Sequence, residues 1–290
     1  MSISNLLQRR IEHLKRKYDL LLKGKESLLQ LIDETEIAES VYNSNAIENS
    51  TLTLKETEKI LLEMEVGKNF SLREVFEAKN LARVMDYIKT KTQEKEIDEE
   101  LILFLHKMLM SGINDKIAGR LRGKNEYVRV GYFIAPSPEH VERMIESLIL
   151  EYKSSITSFF LDRIVRFHLE FETIHPFVDG NGRIGRVIVN YQFMRFGFPP
   201  IIIRDKEKQL YYESFKEYRD DKKTSLGERV ISLGLIESLH KRITYLEGRT
   251  IITLSDYAKK QNKSFRSLLN SAKRQTIPAF REKGVWKTGV

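Results

Sequence analysis

Hydrophobic residues return at three- and four-residue intervals along most of the chain, the period of a helix with one buried face. Leu6, Leu7, Ile11, Leu14, Tyr18 and Leu21 mark the first such stripe, and Gly24 interrupts it. Residues 26 to 47 predict a second helix. Thr53 with Glu56 makes a capping box for a third, over Leu54 to Met64, and Ser71 with Glu74 repeats the signal for a fourth. Asp98 caps a fifth that runs to Met110 and is closed by Gly112. One stretch breaks the helical period. In NEYVRVGYFIAPSP, β-branched and aromatic residues crowd around Gly131 until Pro136 and Pro138 end the run, which predicts a short hairpin. Ser137 and Pro138 supply the cap and first turn of a helix reaching about Glu151. Helices near 158–174, 183–195, 206–219 and 226–246 follow, and Gly197, Pro199 and Pro200 stop the second of these.

Past residue 249 the elements shorten. Ser255 is the expected cap of one short helix, a second spans Phe265 to Lys273, and alternation around Lys283-Gly284 predicts a hairpin. Charge sets this end apart. Residues 250 to 290 hold nine basic residues against two acidic ones, so nearly all of the net charge of +8 sits on the last 41 positions. A field so concentrated calls for an acidic partner, nucleic acid first, with a protein-docking module or a solubilising tail as the alternatives. The absence of cysteine excludes disulfides, thiolate catalysis and cysteine-ligated zinc. No apolar run approaches the roughly 18 to 20 residues of a membrane helix, and the opening MSISNLLQRRIEHLKRKY mixes acidic and basic residues. These features predict a soluble, cytoplasmic chain with no membrane partner.

The densest chemistry lies in His175-Pro-Phe-Val-Asp-Gly-Asn-Gly-Arg-Ile-Gly-Arg186, between two helical patterns. Gly180 and Gly182 allow backbone amides to turn toward a ligand, and the next helix presents its positive end, so the segment can cradle an anion. Arg183 and Arg186, three apart, can fork onto phosphate oxygens. Asp179 suffices for magnesium when a nucleotide supplies the remaining oxygens. His175, with an ordinary pKa of about 6.5, can take a proton from an attacking hydroxyl. Together these parts describe phosphoryl or nucleotidyl transfer.

That run resembles, at every fixed position, the Fic signature His-Pro-Phe-x-Asp-Gly-Asn-Gly-Arg-x-Gly-Arg, and the likeness extends over about residues 40 to 245. It implies a mostly α fold: a Fic-type helical bundle with a short β-hairpin flap. The two short helices and hairpin after residue 249, with their charge, resemble instead an excisionase-like helix-turn-helix or winged unit. The expected divisions are an N-terminal helical region (1–110), the catalytic core (111–248) and the basic C-terminal domain (249–290). The resemblance implies transfer of AMP from ATP to a Tyr, Ser or Thr hydroxyl of a protein target, the chain itself included. His175 would be the base and Asp179 the Mg2+ ligand. Gly180, Asn181 and Gly182 would cradle the outer phosphates, with Arg183 on the β- and Arg186 on the γ-phosphate. Asn190, Tyr211 and Tyr212 match positions lining the adenine pocket in relatives, and His168 is expected to be structural. Tyr127, Val128, Arg129, Val130, Gly131, Tyr132, Phe133, Ile134 and Ala135 correspond to the flap that pairs with an extended target segment.

Upstream, Ser44-Asn-Ala-Ile-Glu48-Asn49 resembles the inhibitory motif of the same family. Ser44 and Glu48 share a helix face, so the serine is expected to orient the carboxylate toward Arg186. Two other functions compete with autoinhibited AMP transfer: removal of AMP at the same site, and a DNA-bound regulator whose pocket senses ATP. The sequence leaves the oligomeric state open.

Overall fold

The computed structural model describes residues 4–64, 70–92 and 96–290, so the first three residues of the amphipathic opening lie outside it. The described chain is mostly helical, as the periodicity predicts. In order it forms α1 (Asn5–Leu22), α2 (Glu26–Ile47), α3 (Leu54–Glu58, continued by a π turn over Lys59–Glu63), α4 (Leu72–Lys91) and α5 (Glu99–Met110). The hairpin β1 (Arg129–Val130) and β2 (Phe133–Ile134) comes next, then α6 (Val141–Ser154), α7 (Phe160–Ile174), α8 (Asn181–Arg195), α9 (Lys208–Asp221) and α10 (Ser225–Leu246). The chain ends in β3 (Ile251–Thr253), α11 (Leu254–Lys260), α12 (Phe265–Lys273), β4 (Ala279–Glu282) and β5 (Val285–Gly289).

The caps hold in outline and differ in detail. Thr53 and Glu56 form a reciprocal box, with Glu56 N donating to Thr53 Oγ1 at 3.3 Å and Thr53 N to Glu56 Oε2 at 2.7 Å. Ser71 caps α4 through Glu74 N at 3.2 Å and donates its hydroxyl to the Glu74 carboxylate at 2.9 Å, and that carboxylate also accepts from Thr51 N and Oγ1, both at 2.7 Å. That pair staples the segment after α2 onto α4. Ser137 does not cap α6: its hydroxyl turns to Glu139, and Pro138–His140 makes a 3-10 turn first. Thr253, not Ser255, caps α11, accepting from Asp256 N at 3.1 Å. The displacement follows from β3, which periodicity missed because three residues pairing with a distant strand leave no local signature.

The hairpin formed by α7 and α8 is the centre of the molecule, with a hydrophobic cluster on either side. One includes Val84, Leu105, Ile145, Phe171 and Ile184; the other includes Ile11, Leu14, Leu169, Phe193, Phe215 and Leu239. The first cluster draws on residues from both sides of position 110, so α4 and α5 share a core with α7 and α8. Residues after 250 build a small cluster of their own from Leu254, Ala258, Leu268, Ala272 and Ala279. There β5 is the middle strand, antiparallel to β3 and β4.

This terminal unit is anchored through charge. Arg281 on β4 pairs with Glu237 of α10 and with Glu207, each at 2.5 Å. At the tip of the β4–β5 hairpin, the backbone N–H groups of Lys283 and Gly284 donate to the Glu39 carboxylate of α2 at 3.0 and 3.1 Å. Arg204 reaches the same carboxylate. The expected hairpin therefore forms, but its tip rests on α2 rather than projecting as a free wing.

Candidate active site

The segment from His175 to Gly180 joins the end of α7 to the start of α8, and its shape is fixed by side chains turned inward. His175 ends α7 in the left-handed region. Asn181 folds back on the loop, accepting from Phe177 N and donating to Phe177 O, both at 2.8 Å. Its side chain is thus a staple, and only its backbone amide is left for a cradle. His106 of α5 stacks on Phe177 with ring centroids 3.7 Å apart. Its Nδ1 accepts from Gly119 N, which leaves an Nε2 proton to donate to Asp179 O at 3.0 Å. Arg122 is buried and donates to the carbonyls of His175, Ile174 and Pro136, at 2.8, 3.2 and 2.5 Å. One guanidinium therefore joins the loop to the base of the flap.

Burial pushes the half-buried His175 imidazole down to about 4, so it is neutral near pH 7. Its Nδ1 faces the Glu172 carbonyl at 3.4 Å. A proton placed there leaves the Nε2 lone pair free, the tautomer a general base requires. Burial would raise the Asp179 carboxyl, but Arg183 and Arg73 hold it below the usual range. Arg183 Nη2 lies 3.0 Å and Arg73 Nη2 2.5 Å from its oxygens, and Arg183 also pairs with Glu77 at 3.0 Å. Arg183 and Arg186 do project from neighbouring positions, yet each is engaged by carboxylates.

Arg186 is engaged by α2. Its Nη2 donates to Glu48 Oε1 at 2.9 Å and to Ser44 O at 2.8 Å, and its Nε to Ser44 Oγ at 2.9 Å. Ser44 Oγ accepts from the guanidinium and makes no hydrogen bond to Glu48 among the described residues, so the serine orients the arginine that both share. Two glycines of the segment are explained by close approach. A Cβ on Gly182 would stand 2.2 Å from Glu48 Oε1, and one on Gly185 would stand 2.5 Å from Glu172 Oε1. Glu48 thus lies over the first turn of α8, where helix geometry leaves amides without intrahelical acceptors. Asn49 follows in the left-handed conformation at the end of α2, a position that asparagine or glycine tolerates. Lys208 Nζ holds its Oδ1 at 2.8 Å, and the Tyr212 hydroxyl donates to Ile47 O at 2.8 Å.

The adenine-pocket expectations fare differently. Asn190 spends its amide on Ile201, donating to the carbonyl at 3.1 Å and accepting from the N–H at 2.8 Å. It clamps the turn that contains Pro199 and Pro200, and the cavity beside it, about 20 Å³, has room for little more than a water. Tyr211 is buried, its hydroxyl 2.8 Å from His168 Nε2 and its ring beside Arg186. Tyr212 is exposed. His168, expected to be structural, is buried, and burial pushes it down to about 3. Beside it Glu172, which the sequence did not single out, is driven up to about 8 by burial, and its Oε1 makes no hydrogen bond among the described residues.

The flap is a two-stranded ribbon, Arg129 opposite Ile134 and Val130 opposite Phe133, turning at Gly131-Tyr132 with positive φ at the glycine. Ala135 N extends the ladder to Val128 O at 3.0 Å. Tyr127, Val130, Tyr132 and Ile134 are exposed, Tyr132 by 99%, while Phe133 packs under the Arg219 guanidinium of α9. No helix of the described residues is long and apolar enough to cross a membrane.

Residues 96–193 match the model of the Fic/DOC family. Protein adenylyltransferase fic-1 of Caenorhabditis elegans is 34% identical over 179 residues, 60% of this chain and 35% of that protein. Protein adenylyltransferase Fic of Drosophila erecta is 32% identical over 224 residues, 74% of this chain and 44% of that protein. The chain thus spans less than half the length of these curated relatives. A crystal structure of a Fic domain containing signaling protein from Bacteroides thetaiotaomicron superposes with a TM-score of 0.74 at 27% identity, covering 83% of this chain and 97% of that one. The complete signature, the helical fold around it and these relatives agree, and the chain carries a domain of the Fic/DOC family over residues 96–193.

Proposed function

We propose that the chain is a protein adenylyltransferase that moves AMP from ATP to a hydroxyl side chain of a protein, held in check by Glu48. The observation that carries this reading is the Glu48 carboxylate on Arg186 over the first turn of α8. An anion of the chain's own fills the place built for an anion, and a triphosphate would have to displace it. The names of the relatives support AMP addition over its removal and over a DNA-bound ATP sensor.

In the proposed reaction the target hydroxyl oxygen bonds to the α-phosphorus, the bond from that phosphorus to its bridging oxygen breaks, and pyrophosphate leaves. The hydroxyl proton passes to His175 Nε2. The amides at the start of α8 and the guanidinium of Arg186 would hold the outer phosphates, and the outer edge of the flap would pair with an extended target segment. Asp179 fits the role of magnesium ligand, since it is a partly exposed carboxylate with one oxygen covered only by the exposed Arg73 side chain. When bound, the metal would neutralise phosphate charge there.

Labelled ATP with magnesium tests this. Glu48→Gly is expected to raise transfer strongly. Arg186→Ala breaks the same pair and is expected not to do so, because it removes the phosphate partner as well; a misplacement of about 1 Å costs on the order of a hundredfold in rate. His175→Ala in the Glu48→Gly background is expected to give no product while calorimetry still detects ATP binding. Full activity of that double variant would remove the histidine from the mechanism, and equal rates for the natural chain and Glu48→Gly would remove the brake.

A further inference from the structure

The basic residues of the terminal unit divide into two groups. Those of the hairpin are spent within the molecule: Arg281 on Glu237 and Glu207, Lys283 on Glu58, Lys287 on Glu282. Those of the helix pair are not. Lys259, Lys260, Lys263, Arg266, Lys273 and Arg274 are exposed and form no ion pair among the described residues, and Asp256, the acid nearest them, is committed to the Thr253 cap. We propose that this helix pair is a DNA-binding surface that lays α12 in the major groove of duplex DNA.

Geometry supports the assignment. Four residues, 261–264, join α11 to α12, with Asn262 in the left-handed conformation and Ser264 capping α12. That is the length of a helix-turn-helix connection. Leu268 and Ala272 bury one face of α12, and Arg266, Ser267, Asn270, Lys273 and Arg274 are exposed. Arginine and asparagine read base edges by paired hydrogen bonds and serine by a single one, and the lysines of α11 and the turn flank them as phosphate contacts. With side chains an α-helix is about 10 to 12 Å across, matched to a groove about 12 Å wide. An anionic membrane fits less well, because the exposed face carries a single large apolar residue, Phe265, at one end. The hairpin contributes no free wing, since its tip is held on Glu39 of α2. Recognition would rest on α12 and the residues flanking it.

Fluorescence anisotropy of a labelled duplex of about 20 base pairs with the full chain tests this. With four to six phosphates engaged, affinity is expected to fall about 10²- to 10³-fold between roughly 50 and 200 mM salt. Lys260→Glu with Arg266→Glu and Lys273→Glu is expected to flatten that dependence by about three in slope. A control of equal charge change on other exposed residues, Arg143→Glu with Lys153→Glu and Lys216→Glu, is expected to keep the natural slope. If the triple variant melts abnormally, Arg266→Ala alone is expected to weaken binding without changing the melt. Binding by the His175→Ala variant is expected to be unchanged, so the result does not depend on the proposed transfer reaction. No salt-sensitive binding, an equal loss in the control, or association with anionic vesicles or an acidic protein in place of duplex would overturn the proposal.

Discussion

Asp179 is shared between two arginines of unlike freedom. Both also pair with Glu77 at 3.0 Å, but Arg183 is buried, whereas Arg73 reaches in from an exposed position on α4. An exposed ion pair contributes at most about 1 kcal/mol, so Arg73 is the partner a cation can displace. Arg73→Ala in the Glu48→Gly background is expected to lower the magnesium concentration for half-maximal transfer about two- to fivefold, with little change at saturation. A magnesium titration of initial rates reads this, and an unmoved midpoint would mean that Arg73 leaves Asp179 free in solution. The signature residues themselves were legible, since they sit within twelve consecutive positions. Arg73, Glu77, His106, Arg122 and Glu172 were not, because nothing in the residues around a surface arginine or a core histidine announces a partner far along the chain.

The element that decides whether the site is open is α2, and it is held at both ends of its inhibitory half. At the carboxyl end, Tyr212 caps Ile47 O and Lys208 holds Asn49; a little over two turns earlier, Arg204 and the β4–β5 tip hold Glu39. A single net hydrogen bond contributes about 0.5 to 1.5 kcal/mol. Tyr212→Phe keeps the ring and removes only the bond to α2. It is expected to raise basal transfer about two- to tenfold, and to add nothing in the Glu48→Gly background. A further rise in that background would place the hydroxyl's effect on the nucleotide and not on the brake. The sequence predicted the bounds of α2, but nothing in it singled out Glu36 and Glu39. Glu39 is buried and Glu36 partly buried because Arg242, Lys241 and Arg204 meet them from α10 and the segment before α9.

At the scale of the whole molecule, stability is set against acid by its buried imidazoles. Burial holds His106, His175 and His240 down to about 4 and His168 to about 3, against about 6.5 in the unfolded chain. Below pH 6.5 the unfolded chain therefore takes up protons that the folded chain refuses, and each histidine costs stability by up to about 1.4 kcal/mol per pH unit. Glu172 acts with the opposite sign: protonated up to about 8 when folded and only to about 4.5 when unfolded, it favours the folded state as pH falls. Four groups outweigh one. The urea midpoint is expected to fall between pH 7 and pH 5, and Glu172→Gln is expected to make that fall steeper. A midpoint flat over this range would mean that the imidazoles are hydrated in the folded chain.

The sequence by itself determined the helices, the hairpins and the contents of the signature loop, because periodicity, caps and turns depend on residues within a few positions of one another. Thr53 with Glu56, and Gly131 at the flap turn, form where they were expected for that reason. Only the tertiary structure decided which groups surround the loop. His106 meets Asp179 across 73 positions and Arg122 meets His175 across 53. It also decided that Glu48 rests on Arg186, that Asn190 is consumed by Ile201, and that the terminal hairpin leans on α2. Such contacts are set by which helix faces pack together, and in a chain with several amphipathic helices of similar length that choice is made by the fit of the whole core.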